Sequence, residues 1–449
     1  MEKRSTDAKK PKKQYSAPAR NWVGDNGKII EPLFADYFLS LHPMRCFQGR
    51  LFTVDGMVED EAPLKKEIYE QVRYYATTSV ARRIEHIVQA IKLACASEPP
   101  EIQTDRIHVR NGTYFADGHF TPEKEYCMNR LPIAYVSDAP APTRWLQFLN
   151  ELLHEEDIPT LQEYIGYCLL PVTKAQKMLL MVGKGGEGKS RIGLILRELF
   201  GSSMYTGSLQ KVETNRFARA DLEYKLLLVD DDMKTEALPQ TNNIKTLVTL
   251  EDKIDIERKG QQSVQGTLYV RFACFGNGSL HALYDKSNGF YRRQLLLTTK
   301  EKPLSRVDDP FLIDKMRNEK EGILLWALEG LHRLIRNNYR FTISERTAAN
   351  LKEAMEQGNN ILGFLKSEGY FEIRQGTKCK STDFYKVYER WCLDNLEKPL
   401  AASTFIHHLK DNQKSLGIVY DDKCIGTNRG FHNVDVDLFL PVDVPSPWD

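Results

Sequence analysis

A glycine-rich segment, Gly183-Lys-Gly-Gly-Glu-Gly-Lys-Ser190, contains the residue types that bind phosphate. It fits the spacing G-x-x-x-x-G-K-[ST] at every fixed position. Its glycines allow successive backbone N–H groups to turn toward an anion. Lys189 is placed to reach the terminal phosphates, and the Ser190 hydroxyl is placed to ligate Mg²⁺. We therefore predict a site for ATP and Mg²⁺ formed by Gly183, Gly185, Gly186, Glu187, Gly188, Lys189, Ser190 and Arg191.

Acidic residues end the apolar run that begins at Leu226. Hydrolysis of a nucleoside triphosphate requires a carboxylate for the metal and a group that orients the attacking water. We assign the metal to Asp230, together with Ser190, and the role of base or water-positioning group to Asp231, with Asp232 as a solvent-facing spare. Taken alone, the three acids are better explained by a simple strand-ending turn, but their distance after the glycine-rich segment favours catalysis.

Further polar groups border the next two apolar runs. Asn277 follows the run Val270–Phe275 and is placed to sense a γ-phosphate. Arg292 and Arg293 precede the run Leu295–Leu297, and one of these guanidinium groups is a candidate arginine finger. Arg293 is the first choice because it lies nearest the strand, and a structural salt bridge is the alternative.

A basic turn lies between the acids and Asn277. The sequence around it predicts a β-hairpin whose tip carries Arg258, Lys259 and Gly260. An ordinary solvated hairpin with surface charges explains the same residues, so composition alone leaves the role of this tip open.

The elements that must position these residues are short apolar runs that alternate with helical stretches between residues 175 and 300. Such runs are typical of parallel strands buried on both faces. We therefore predict an α/β domain with helices flanking a sheet. The run Met178–Val182 leads into the glycine-rich segment, and a helix from Arg191 to Phe200 leads away, with its positive N-terminal end toward the phosphates.

The flanking regions differ from this central block. Residues 65–96 show helical spacing, residues 107–115 predict a hairpin that turns at Asn111-Gly112, and the last hundred residues suggest a small α+β domain. The predicted organisation is a disordered basic tail over 1–20, a mostly helical accessory domain over 21–140, a central domain with leading helices and a trailing lid helix over 141–340, and a C-terminal domain over 341–449.

Composition excludes several classes of protein. The chain has 449 residues, a formal net charge of +1 and eight scattered cysteines with no C-x-x-C pair, which argues against a zinc site and for a reducing cytoplasm. No apolar run approaches the roughly 20 residues that span a bilayer, so no membrane association is expected. Because the net charge is so small, any nucleic-acid binding must depend on local basic patches.

The order of these motifs resembles that of superfamily three helicases, and more closely the helicase part of phage, plasmid and poxvirus primase-helicases. Replicative helicases of staphylococcal mobile elements are similar as well. The resemblance covers roughly residues 100–440. Supporting segments are Asn215–Ala218, Lys245–Thr249, Glu257–Gly260, Asn288–Arg293 and Glu321–Trp326, with Tyr164–Gly166 ahead of the glycine-rich segment.

The resemblance implies a central AAA+ P-loop ATPase domain that forms a homo-hexameric ring around DNA in the cytoplasm of a bacterial host. It implies that Arg258 and Lys259 grip a single strand in the channel. It also implies that residues from about 345 to 440 form a winged-helix domain, whose helix Ser403–Lys410 contacts a duplex origin. A catalytic primase module has no room upstream, so a separate primase or polymerase is a candidate partner.

Three functions fit these residues. The first is an ATP-dependent DNA helicase of a mobile element or phage, acting in replication initiation. The second is an AAA+ initiator or helicase loader that uses ATP as a switch without translocating. The third is a small-molecule kinase or another P-loop enzyme unrelated to DNA. The basic hairpin and the paired arginines argue against the third, and Lys259 favours the first over the second.

Overall fold

The computed structural model describes residues 21–76, 78–233, 241–260, 262–277, 288–303, 305–358, 360–397 and 399–436. The predicted basic tail over residues 1–20 lies outside these ranges. Nowhere in them does a helix combine the length and the apolar character needed to cross a membrane.

The N-terminal part is mainly helical and has its own core, which includes Trp22, Phe34 and Ile87. The helical pattern predicted over residues 65–96 forms two helices rather than one. The break occurs where Ser79 has φ +51°, outside the right-handed helical region. The elements are α1 (Glu31–Leu41), β1 (Arg45–Phe47), β2 (Arg50–Thr53), β3 (Gly56–Met57), α2 (Ala62–Val72) and α3 (Val80–Ala94).

A small antiparallel sheet follows. The predicted hairpin is present, but it turns at Arg110-Asn111, because Gly112 is already the first residue of the second strand and pairs with Val109. Its strands are β4 (Arg106–Val109), β5 (Gly112–Phe115) and β6 (Phe120–Thr121). Ile107, Val109 and Tyr114 are buried in the same core as the central helices and sheet. The hydrophobic cores therefore divide near residue 100, because the apolar face of this sheet packs onto the elements that follow it. The domain boundary near residue 140 stays a prediction.

The predicted parallel sheet is confirmed. Within the described residues it has five strands in the order β13-β7-β12-β9-β8, all parallel. Strand β8 was not predicted from sequence because it is short and only partly buried. The strands of this region are β7 (Met178–Val182), β8 (Met204–Thr206), β9 (Leu227–Met233), β10 (Ile254–Ile256), β11 (Val264–Gly266), β12 (Arg271–Gly276) and β13 (Gln294–Thr298).

Helices cover the sheet, and α5 and α11 lie unusually close together. A Cβ atom at Gly166 would lie 2.3 Å from the carbonyl oxygen of Ala327, so this approach requires glycine. The buried Glu163 carboxylate accepts a hydrogen bond from Arg333 and fixes the pair. The helices are α4 (Thr143–Leu152), α5 (Ile158–Cys168), α6 (Lys189–Phe200), α7 (Leu209–Thr214), α8 (Asn242–Val248), α9 (Asn288–Tyr291), α10 (Leu312–Arg317) and α11 (Lys320–Arg336).

The C-terminal part has an aromatic core that includes Phe364, Tyr388 and Phe405. A three-stranded antiparallel sheet has the order β14-β16-β15. Strand β14 was not predicted because most of its residues are exposed and it lacks an apolar alternation. The elements are α12 (Glu345–Gly358), α13 (Asn360–Lys366), β14 (Glu372–Lys380), α14 (Ser381–Asp394), α15 (Ala402–Asp411), α16 (Gln413–Leu416), β15 (Val419–Ile425) and β16 (Asn428–Asp435). The sequence also predicts a strand over Val434–Leu440; β16 ends at Asp435, and residues 437–440 lie outside the described ranges.

Candidate nucleotide-binding site

A cleft of about 720 Å³ lies at the carboxyl ends of β7, β9 and β12. The glycine-rich segment Gly183–Ser190 forms its floor and passes directly into α6. Gly185, Gly186 and Gly188 have φ values of +108°, +81° and +115°, a region that side chains other than glycine rarely occupy. These conformations explain why three glycines are needed here, since they turn the backbone into a phosphate-sized cradle.

Lys189 lies in this cradle, as expected. Its ammonium group donates a hydrogen bond to Glu187 at 2.8 Å and a longer one to the Oδ1 atom of Asn277 at 3.4 Å. Asn277 ends β12 and lines the same cleft, together with Ser190 and Arg191. The tertiary structure therefore brings the sensor candidate to the phosphate-binding residues, 88 positions away along the chain.

The acidic residues of β9 are arranged differently from the prediction. Asp230 is 6% exposed, and its carboxylate accepts a hydrogen bond from the Leu209 N–H group at 2.8 Å. Asp231 and Asp232 line the cleft, and Asp231 is hydrogen-bonded to the Ser190 hydroxyl. Asp230, to which the sequence assigned the metal, is therefore directed toward Leu209, whereas Asp231 lies on the side of the cleft.

A β-bulge explains why two consecutive acids face the cleft. Cys274 of β12 pairs with Asp230, but Gly276 pairs with Met233, so β9 has one residue more than its neighbour at this point. A bulge breaks the alternation of side chains between the two faces of a sheet. Burial raises the pKa of Asp231, and the hydrogen bond from Ser190 partly offsets this effect.

The oxygen atoms of Ser190 and Asp231 suit Mg²⁺, which prefers hard oxygen ligands and is usually held by one or two carboxylates together with substrate phosphates and water. In the described part of the chain, no group of three or more His, Cys, Asp or Glu side chains is arranged to hold a metal ion. A nucleotide-linked Mg²⁺ needs no such group, because substrate phosphates and water supply most of its ligands.

The cleft has a second wall that sequence reasoning missed. It comes from helix α4 and from the segment between β13 and α10. Arg306 in that segment donates hydrogen bonds to the carbonyl oxygens of Glu187 at 2.9 Å and Gly186 at 3.3 Å. No motif marked this wall in the sequence, because it forms only when distant segments meet. Its residues include Arg144, Phe148, Pro303, Ser305, Arg306 and Asp309.

We expect Arg306→Ala to weaken ATP binding about 5- to 10-fold, because the net contribution of one hydrogen bond that supports the P-loop is about 1 to 1.5 kcal/mol. Loss of these bonds frees the two carbonyl groups whose orientation keeps the loop N–H groups pointing inward. The measurement is equilibrium binding of a fluorescent ATP analogue. Arg317→Ala, on the exposed face of α10, is the matched control. Equal affinities for Arg306→Ala and wild type would show that this guanidinium does not support the loop.

Arg292 and Arg293 lie far from the cleft of their own chain. They precede β13, whose first residue pairs with Met178 at the amino end of β7. Five strand residues, about 16 Å, separate that edge of the sheet from the P-loop edge. Arg292 is exposed, whereas Arg293 is partly buried and donates to the Gly289 carbonyl within its own loop. A finger role within one subunit is therefore excluded by distance.

The predicted hairpin is present, with Ile254 opposite Gly266. Its two basic residues have different environments. The Arg258 guanidinium group forms an ion pair with Glu223 and is partly buried, so it anchors the hairpin. Lys259 is exposed at the tip beside Gly260, which has φ +76°. Only Lys259 of this pair is placed to meet a partner.

The sheet and the cleft define an α/β protein with a P-loop at the carboxyl edge of a parallel sheet. Two family models match parts of this chain. Residues 22–154 match a model described as D5 N terminal like. Residues 181–293 match DUF5906, described as a family of unknown function. The second match begins within β7 and ends at Arg293, so it contains the P-loop, the acids of β9, the hairpin and Asn277. No curated protein matches the chain.

One solved structure shares the fold, and a second is similar at a lower score. The apo structure of the NrS-1 C terminal region (305–718) is 12% identical, with 90% of this chain and 99% of that chain covered and a TM-score of 0.50. The A form apo structure of the NrS-1 C terminal region is 13% identical over 87% of both chains, with a TM-score of 0.49. At this level of identity the likeness concerns the fold alone.

Proposed function

We propose that this chain is an ATP-dependent DNA helicase of a phage or mobile element, of the superfamily three AAA+ type, that acts as a ring in replication initiation. One observation carries this proposal. The hairpin with the exposed Lys259 is inserted between β9 and β12, the two strands whose ends place Asp231 and Asn277 in the nucleotide cleft. The hairpin leads into the amino end of β12, and Glu223, just before β9, holds Arg258. Strands β9 and β12 therefore connect the hairpin to the nucleotide cleft at their opposite ends.

The chemistry assigned to the cleft is attack of water on the γ-phosphate of ATP. Lys189 neutralises charge on the terminal phosphates, and the P-loop N–H groups hold the phosphate chain. When bound, Mg²⁺ supplies charge neutralisation between the phosphates, with Ser190 and Asp231 as its protein contacts. Asp232 or Asn277 is left to orient the attacking water, because both line the cleft and neither is needed for the metal.

In a ring, an arginine finger comes from the neighbouring subunit. Because Arg292 lies at the opposite edge of the sheet from its own P-loop and is exposed, it suits a site on the neighbouring subunit. Each active site would then be shared between two subunits, which couples hydrolysis to assembly. The homo-hexamer is part of this proposal.

The proposed DNA contacts lie in two places. In a ring, several copies of Lys259 surround one strand, and their combined charge makes binding steeply dependent on salt. The order α13-β14-α14-α15-α16-β15-β16 in the C-terminal part supports the winged-helix assignment, with α15 as the recognition-type helix for a duplex origin. The D5 N terminal like match supports a relation to primase-helicases. A separate primase or polymerase as partner stays a prediction.

We expect Lys259→Ala to reduce unwinding of a forked duplex at least about 10-fold while basal ATP hydrolysis stays within roughly twofold of wild type, because several phosphate contacts are lost from one ring at the same time. Strand displacement and phosphate release are measured on the same preparations. Lys253→Ala removes an exposed lysine just before β10 and is the matched control.

Two outcomes would contradict this proposal. Equal unwinding by Lys259→Ala and wild type would show that the hairpin tip is an ordinary solvated turn and does not bind DNA. A wild-type protein that hydrolyses ATP and assembles on DNA, but never separates strands, would favour the initiator or helicase loader.

A further inference from the structure

The P-loop carries an acidic residue whose side chain points into the phosphate cradle. Glu187 is 3% exposed although it belongs to the floor of an open cleft. One carboxylate oxygen accepts a hydrogen bond from the Gly185 N–H group at 2.7 Å, and the other accepts one from the Lys189 ammonium group at 2.8 Å. Both donors belong to the set that the motif provides for phosphate.

The position of this carboxylate is deep inside the loop. A Cβ atom built on Gly183 would lie 2.9 Å from the Oε1 atom of Glu187 and 2.9 Å from the Nζ atom of Lys189. The first glycine of the motif therefore borders both ends of the ion pair. The carboxylate oxygens occupy the place of an anion between a backbone N–H group and the motif lysine, which is the place a phosphate oxygen would take.

The charge balance supports this interpretation. Burial raises the pKa of Glu187, but the hydrogen bonds from Lys189 and from backbone N–H groups outweigh burial, and the pKa lies below its ordinary value. The carboxyl group is therefore ionised at neutral pH. Removing the partner of a buried charge is costly. In the unliganded cradle, the Lys189 ammonium group and the Gly185 N–H group therefore already have a partner in Glu187.

We propose that Glu187 is an internal counter-anion that the phosphate chain must displace, and that it determines the ligand specificity of the cleft. A ligand with one phosphate gains little beyond the two hydrogen bonds that the carboxylate already accepts, whereas a diphosphate or triphosphate chain replaces them and adds others. The proposal rests on the proposed function, since it concerns the same nucleotide site. It names polyphosphate chains as the ligand class that the cradle selects.

The test measures binding of inorganic pyrophosphate, inorganic phosphate and ADP by titration calorimetry. Glu187→Gln keeps the size of the side chain and removes its charge, and Glu187→Ala empties the cradle. Both variants are expected to bind pyrophosphate and ADP about 10-fold more tightly than wild type and to gain measurable affinity for inorganic phosphate. Glu301→Gln is the matched control, because Glu301 is an exposed acid that pairs with Lys184 beside the same loop.

Binding of pyrophosphate tests the counter-anion role of Glu187 separately from the proposed ATPase activity. If both Glu187 variants melt at the wild-type temperature and bind pyrophosphate no more tightly than wild type, the counter-anion role is wrong. An equal gain in pyrophosphate affinity in Glu301→Gln would show that the loss of any nearby negative charge is enough, and it would also overturn the proposal. A wild-type protein that binds no nucleotide, beside Glu187 variants that gain pyrophosphate affinity, would instead contradict the proposed ATPase while leaving the counter-anion in place.

Discussion

Replacement of Lys189 by alanine is expected to reduce ATP hydrolysis by about 10²–10³-fold or more, because a preorganised charge aimed at the transferring phosphate contributes on that scale. The ammonium group lies between Glu187 and Asn277, at the centre of the cleft. In the described part of the chain, no other lysine lines that cleft. Phosphate release under saturating ATP measures the effect.

Lys184→Ala provides a matched control for this prediction. Lys184 belongs to the same glycine-rich segment, but its side chain is 79% exposed and pairs with Glu301. Its removal should leave hydrolysis within about twofold of wild type, since an exposed ion pair contributes little. Asp231→Asn should bind ATP nearly as wild type does and fail to turn it over. Near-normal turnover in Lys189→Ala or in Asp231→Asn would show that the catalytic site lies elsewhere.

Loss of the arginine finger is expected to have the second large effect. Arg292→Ala should lower turnover by about 10³-fold at almost unchanged ATP affinity, because a finger stabilises charge that develops only in the transition state. The structure reverses the order of preference that the sequence suggested. Arg293 is held by the Gly289 carbonyl of its own loop, whereas Arg292 is exposed. Arg293→Ala is therefore expected to lose less activity than Arg292→Ala.

Mixing the two inactive variants tests whether the finger acts between subunits. Arg292→Ala and Lys189→Ala fail for different reasons, so a mixed ring contains some interfaces with an intact P-loop on one side and an intact finger on the other. These interfaces should recover part of the ATPase activity in proportion to how often they form. Mixed assemblies that contain both variants and stay inactive would contradict action in trans. Normal hydrolysis by both arginine variants would make the pair structural.

Local sequence patterns were sufficient to predict much of the central fold. The glycine-rich segment, the helix after it and the apolar runs that form β7, β9, β12 and β13 are all short-range features of the chain. Burial on both faces leaves a continuous apolar run in the sequence, so parallel strands can be recognised without knowledge of their neighbours. The hairpin tip at Lys259 follows from similar local signals.

Only the tertiary structure shows how neighbouring residues differ in their surroundings. Side chains of a strand alternate between two faces, and only the bulge between β9 and β12 shows that Asp231, and not Asp230, faces Ser190. Arg258 differs from Lys259 because Glu223, 35 residues earlier, holds it. Arg306 reaches the P-loop from 119 residues away. A linear pattern records none of these contacts, because each depends on how distant segments pack and not on the chain around the residue.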